Sequence, residues 1–234
     1  MKNTFKIIGC FIIAFAFFIN TSTAQEAAGG NSDVYKTQLN VYQNALKFND
    51  VSVAKNALYN MIAIEPSNHS LLDSLAYLYF EYQQYASSLL VAREILAKNS
   101  NHLPALEIQA VSFENLGLKD QALSAYESLY LKRNNPLTLY KIGMLQFDLK
   151  RHNGSKTSLD ILLADSTINE LKVVLNDQST KEQKEIPMKA ALHNFQGLNN
   201  LELGDKAAAK ANFEAALKLA PDYKIAKDNL AKAN

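Results

Sequence analysis

Four histidines, His69, His102, His152 and His193, are the side chains best suited to metal ligation or proton transfer, but their spacing assembles neither. No His-x-x-x-His pair is present, and the only cysteine is Cys10, so the rest of the chain has no thiolate ligand and no disulfide. Carboxylates are plentiful but spread over polar helix faces, and none stands out as half of an acid/base pair. Neither a Gly-rich phosphate loop nor a Gly-x-Ser-x-Gly elbow occurs. We therefore expect no catalytic residue, no metal site, no cofactor and no enzyme activity. Basic and acidic residues nearly balance, 24 against 23, which leaves no electrostatic case for nucleic acid as a partner.

Aromatic side chains are the remaining candidates. Tyr77, Tyr79, Phe80, Tyr82 and Tyr85 form the densest aromatic cluster after the first residues. Two readings stand. Aromatics at helical spacing commonly fill a core, so all five are packing residues. Alternatively, Tyr79 and Tyr85 pack while Tyr77 and Phe80 face a ligand.

These residues sit in a repeat with a period of 34, written as Tyr35–Asn68, His69–His102, Leu103–Pro136 and a fourth unit from Leu137. The twentieth residues of the first three units are Ala54, Ser88 and Ala122, and the fifteenth are Asn49, Gln83 and Gly117. Within a unit the apolar spacing is helical: Leu72, Leu75, Ala76 and Tyr79 make one stripe, and Leu89, Ala92, Ile95 and Leu96 a second. Each unit reads as two helices joined by a short turn. Such a hairpin buries its apolar face only by stacking on its neighbours.

On these residues the chain resembles the tetratricopeptide repeat (TPR) family. The best match is Ala190–Tyr223, with Gly197, Gly204-Asp205, Ala209, Phe213, Ala216, Leu217 and Pro221 at the family's spacings. The second unit adds Leu75-Ala76, Tyr79 and Tyr85, and the third adds Ala110, Phe113, Gly117, Ala122 and Tyr126. Small residues at the eighth and twentieth positions let paired helices approach closely. Met61, Ile95 and Leu129 depart from the small residue at position 27, so looser packing is expected there. The resemblance implies an all-α solenoid of about five repeats over residues 35–168 and 188–234, closed by a C-terminal capping helix from Lys224.

The fourth unit breaks step. Its second helix, near Gly154–Ala164, fits only if its loop is one residue shorter. The fifth unit is due near Leu171 but begins at Ala190. The stretch between, residues 169–187, has β-branched residues, alternation at Leu171/Val173/Leu175 and a polar middle, which suggest an inserted β-hairpin. An extra helix over Ile168, Leu171 and Leu175 is the alternative. Pro187 then suits the first turn of the next helix. The Glu185-Ile186-Pro187-Met188-Lys189-Ala190-Ala191 stretch is similar to the corresponding part of secreted TPR proteins of Bacteroidota.

The first residues address the chain. Lys2 and Lys6, the apolar Ile7–Ile19 and the small residues through Ala24 follow a secretory signal-peptide pattern over residues 1–24. The apolar core is short for a membrane span, so the mature chain is expected to have none. Residues 25–34 read as a flexible leader. Cys10 offers an alternative lipid anchor, but it precedes most of the apolar core instead of following it. A periplasmic or secreted location is expected.

In the TPR family the first helix of each unit lines a concave groove. Carried over, the resemblance nominates Leu39, Gln43 and Leu46; Asp73, Tyr77 and Phe80; Glu107, Val111 and Glu114; and Lys141, Leu145 and Asp148. The family's carboxylate clamp is not implied, because Leu39, Gln43, Ser74, Pro104 and Ile108 occupy its places. The acidic middle favours a partner segment with basic or polar side chains among apolar anchors. The expected function is a non-catalytic scaffold of the bacterial cell envelope that binds a protein or peptide. The alternative is a carbohydrate-binding module using Tyr77 and Phe80.

Overall fold

The structure, a computed structural model, describes residues 29–176 and 183–233. The expected signal peptide, including Cys10, lies outside the described residues. The expected leader is corrected in part, because helix α1 (Gly29–Lys47) already begins at Gly29. The chain divides into two compact units, the first ending at Arg133 and the second beginning at Asn134.

The first unit holds three helical hairpins: α1 with α2 (Val51–Ile64), α3 (Ser70–Glu81) with α4 (Tyr85–Lys98), and α5 (Leu103–Asn115) with α6 (Lys119–Arg133). The second unit holds α7 (Pro136–Asp148), α8 (His152–Ala164), a 3₁₀ turn at Ser166–Ile168, and strands β1 (Lys172–Asn176) and β2 (Gln183–Pro187). It continues with α9 (Met188–Glu202), α10 (Lys206–Leu219) and α11 (Lys224–Ala233).

Every hairpin turns the same way. Asn49, Gln83, Gly117, Lys150 and Gly204 all have positive φ, between 56° and 82°. The residue after each donates its N–H to the carbonyl five residues back: Asp50 to Ala45, Gln84 to Tyr79, Leu118 to Phe113, Arg151 to Gln146 and Asp205 to Asn200. The left-handed residue itself bonds the carbonyl three back, as in Gln83 to Phe80. These paired bonds satisfy carbonyls that the helix end leaves open, the arrangement of a Schellman motif. The next helix starts at once, and Asp50 and Asp205 cap α2 and α10 by accepting from the N–H groups of Val53 and Ala208.

In four of the five hairpins the helices meet at a pair of small residues twelve apart, Ala76 with Ser88, Ala110 with Ala122, Gly143 with Ser155, and Gly197 with Ala209, all buried; the first hairpin has Tyr42 opposite Ala54. Two of these contacts carry a hydrogen bond across the hairpin. The Ser88 hydroxyl donates to the Ala76 carbonyl at 2.8 Å, and Ser155 donates to Gly143 at 2.7 Å. Met61, Ile95 and Leu129 are buried, so these larger side chains are accommodated inside the stack.

The one-residue slip lies elsewhere than expected. From the third hairpin to the fourth, Ala110 and Gly143, Ala122 and Ser155, and Gly117 and Lys150 are all 33 residues apart. The loss therefore precedes α7. The connection is Asn134-Asn135, where the previous hairpins are joined by Asn99–His102. Asn135 accepts from the N–H groups of Leu137 and Thr138, and Pro136 opens the helix, where its missing N–H leaves nothing unpaired.

The inserted segment is a β-hairpin and not a helix. β1 and β2 pair antiparallel, Val173 opposite Ile186 and Lys172 opposite Pro187. Val173 and Ile186 are buried, while Lys172, Val174 and Glu185 face outward. Pro187 ends β2 and stands just before α9 instead of inside its first turn. At the C-terminus α11 packs Ala226, Asn229 and Ala233 inward against α9 and α10 and turns its lysines outward, as a capping helix should.

Candidate functional site: the first-helix row

In the first unit the nominated residues fall at equivalent points of α1, α3 and α5. Leu39, Leu46, Tyr77, Phe80 and Val111 are half-buried and Gln43 is exposed. Phe80 rests on the core formed by Leu72, Ala76, Ala92 and Ile95, and its ring meets Tyr85 edge-on with centroids 5.8 Å apart. Leu39 and Leu46 lean on the core around Tyr42 and Leu58.

Each carboxylate of the row has a partner from its own chain. Asp73 Oδ2 lies 3.4 Å from His102 Nε2, while Nδ1 of that ring accepts the Ala105 N–H and caps α5. Burial pushes the Asp73 carboxyl above its ordinary range, and His102 opposes that rise. Glu107 pairs with Arg133 at the end of α6. Glu114 Oε2 accepts from the buried Tyr126 hydroxyl at 2.6 Å. Burial, then the charge of Glu114, pushes the Tyr126 phenol upward. Tyr77 is also raised, by burial first, then by the charge of Glu81 and the hydrogen bond to it.

The other aromatics are tied to the chain as well. The Tyr79 hydroxyl meets that of Tyr59 at 2.7 Å, and the Lys55 ammonium sits 5.3 Å from the Tyr79 ring centroid. Tyr82 donates to Asn49 Oδ1 at 2.5 Å, linking successive hairpin turns. Tyr79 and Tyr85 are half-buried, not fully inside.

In the second unit the one-residue shift displaces the nominated row. With Gly143 at the small position, Tyr140, Met144 and Phe147 take the places that the unshifted period gave to Lys141, Leu145 and Asp148. Leu145 is 5% exposed and belongs to the interior. Tyr140 is also buried, against Phe195 at 6.5 Å, and Phe147 meets the Phe195 and His152 rings at 5.1 Å each. Here Tyr140 is closed off by packing, while Met144 and Phe147 stay half-buried.

A shallow hollow of about 370 Å³, not among the nominated sites, lies on α5 and α6, lined by Phe113 and Ala125 with Gln109, Asp120, Gln121, Ser124 and Ser128. It arises where Ser124, Ala125 and Ser128 replace the larger Leu90, Val91 and Glu94 of the preceding hairpin. Aligning the repeats position by position exposes that loss of volume. His193 contacts Asn212 at 3.3 Å, and His152 is the first residue of α8 instead of a loop residue. Among the described residues no group of three His, Cys, Asp or Glu side chains converges as a metal site. No described helix is long and apolar enough to cross a membrane.

No protein-family model and no curated protein matches the sequence. Solved structures share the fold. YrrB, a TPR protein with an unusual peptide-binding site, superposes with a TM-score of 0.64 at 12% identity, covering 89% of this chain and 100% of that one. MamA from Desulfovibrio magneticus RS-1 gives 0.60 at 14% identity over 82% of this chain and 97% of its own. A tetratricopeptide repeat protein from Parabacteroides merdae gives 0.51 at 16%, with 86% and 99% covered. With four of its five hairpins closed at paired small residues and these structures alongside it, the chain has the tetratricopeptide-repeat fold.

Proposed function

We propose that this protein is a non-catalytic binding scaffold of the bacterial cell envelope, exported by residues 1–24 to the periplasm or beyond, and that it holds a protein segment along the first-helix row of its first unit. One observation carries the reading. Leu39, Leu46, Tyr77, Phe80 and Val111 lie half-exposed at equivalent points of three successive hairpins. A repeated, partly open apolar row suits a partner that touches several repeats at once. The peptide-binding site of the structurally similar YrrB supports a peptide-binding use of this fold. The likeness of residues 185–191 to secreted Bacteroidota repeats supports the location.

The test is affinity capture from envelope extracts with the chain lacking residues 1–24, beside Tyr77→Ala/Phe80→Ala. A partner retained by the parent and lost by the folded double variant supports the row. Equal capture by both sinks it. Glycan arrays run on the same pair separate protein from carbohydrate ligands.

A further inference from the structure

We infer that the partner segment meets this row with an uncharged apolar face, and not with basic side chains. The inference rests on the binding role proposed above and names the chemistry of the partner.

The sequence alone points the other way, because Asp73, Glu107 and Glu114 put three carboxylates in the middle of the row. In the structure each is engaged by the chain itself. Arg133 cancels the charge of Glu107. His102 holds Asp73 while its other nitrogen caps α5, so moving the ring toward a ligand would uncap that helix. Tyr126 holds one oxygen of Glu114 from a buried position fixed by the hairpin core. A lysine or arginine arriving on a partner would meet carboxylates already engaged and compete with these contacts, so it would gain less than from carboxylates without such contacts. The apolar members differ. Leu39, Leu46, Phe80 and Val111 keep hydrocarbon in water, and the Tyr77 ring lies among them with its hydroxyl turned to Glu81. Covering that surface removes apolar area from water and breaks no internal bond.

Peptides selected from a random displayed library against the chain lacking residues 1–24 test this directly. We expect enrichment in Leu, Ile, Phe and Trp, depletion of Lys and Arg, and affinity that moves less than about twofold from low to high salt. Tyr77→Ala/Phe80→Ala should weaken those peptides by about tenfold or more. Val111→Asn, at a half-exposed position, keeps the test open if loss of Phe80 unfolds the chain. Selection of Lys- and Arg-rich peptides, released by salt and by Glu107→Gln/Glu114→Gln, overturns the inference while leaving the row in place. Apolar peptides that ignore both the double variant and Val111→Asn overturn the row itself, as does recovery of no binding peptide.

Discussion

Gly197 and Phe213 approach so closely that a β-carbon on Gly197 would lie 2.3 Å from Cε1 of the ring. Phe213 is fully buried, so the ring has nowhere to retreat. Glycine inside an exposed helix ordinarily costs about 1 kcal/mol against alanine. Here the sign reverses, and Gly197→Ala should destabilise by about 1–3 kcal/mol through overpacking. At Gly143 the same β-carbon would stand 3.3 Å from Leu159 Cδ2, so Gly143→Ala should cost less. Denaturant unfolding of the two variants decides it, and equal or stabilising effects would contradict the packing described.

The hairpin turns predict gains. Gln83 and Lys150 hold φ near 60° where Gly117 and Gly204 do the same work without a β-carbon. The left-handed region costs a side-chain-bearing residue about 1–2 kcal/mol, partly offset by the extra freedom glycine brings to the unfolded chain. Gln83→Gly and Lys150→Gly should each stabilise by about 0.5–1 kcal/mol. Gly117→Ala, with open space around it, should lose a similar amount through backbone strain alone. Melting temperatures that fall for both glycine insertions would refute the turn geometry.

Ser155 does more than Ser88. Both hydroxyls donate to a carbonyl across the hairpin, but Ser155 also accepts from Asn199 Nδ2 at 3.0 Å, joining α8 to α9. Ser88→Ala should cost about 0.5–1.5 kcal/mol for one neutral hydrogen bond. Ser155→Ala strands a buried amide hydrogen as well and should cost about 1–3 kcal/mol. Asn199 in a double-mutant cycle with Ser155 should show coupling between the two. A cycle that closes to zero removes the link.

Alkaline pH should weaken the first unit through Tyr79. Burial first, and then the bond to Tyr59, raise its pKa from 10.0 to about 12. The folded state thus holds the phenol proton longer than the unfolded chain does. Stability is intact below pH 10 and declines as pH rises toward 12. Tyr59→Phe should bring the Tyr79 midpoint down, but not fully to 10.0, since burial remains. NMR titration of labelled tyrosine rings, assigned with Tyr79→Phe, measures both midpoints. A Tyr79 midpoint already at the ordinary value in the parent would be the contrary result.

Much of this fold was legible because its constraint is steric. Close helix approach demands small residues, so Ala76, Ser88, Ala110 and Ala122 mark the hairpins in the bare sequence. Alternation around Val173 marked the strands for the same reason, since one face is buried. The site was less legible. Phe147 stands 34 residues after Phe113 and mimics an unbroken period, whereas packing sets the register through Gly143 and Ser155. That is how Leu145, an interior residue, came to stand in the nominated row. The carboxylates misled for another reason. Glu107 and Arg133 are 26 residues apart, and only the folded hairpin brings them together.

The five left-handed turns show that one way of closing a hairpin tolerates different side chains. What recurs is a torsion angle and a pair of closing bonds, and only Gly117, Gly204 and, less strongly, Asn49 announce them by residue type. Asparagine, glutamine and lysine fill the other three, so one turn conformation is reached with different side chains. Side-chain identity is therefore a poor guide to where this backbone closes, and a shared repeat fold can stand beside only 12–16% identity.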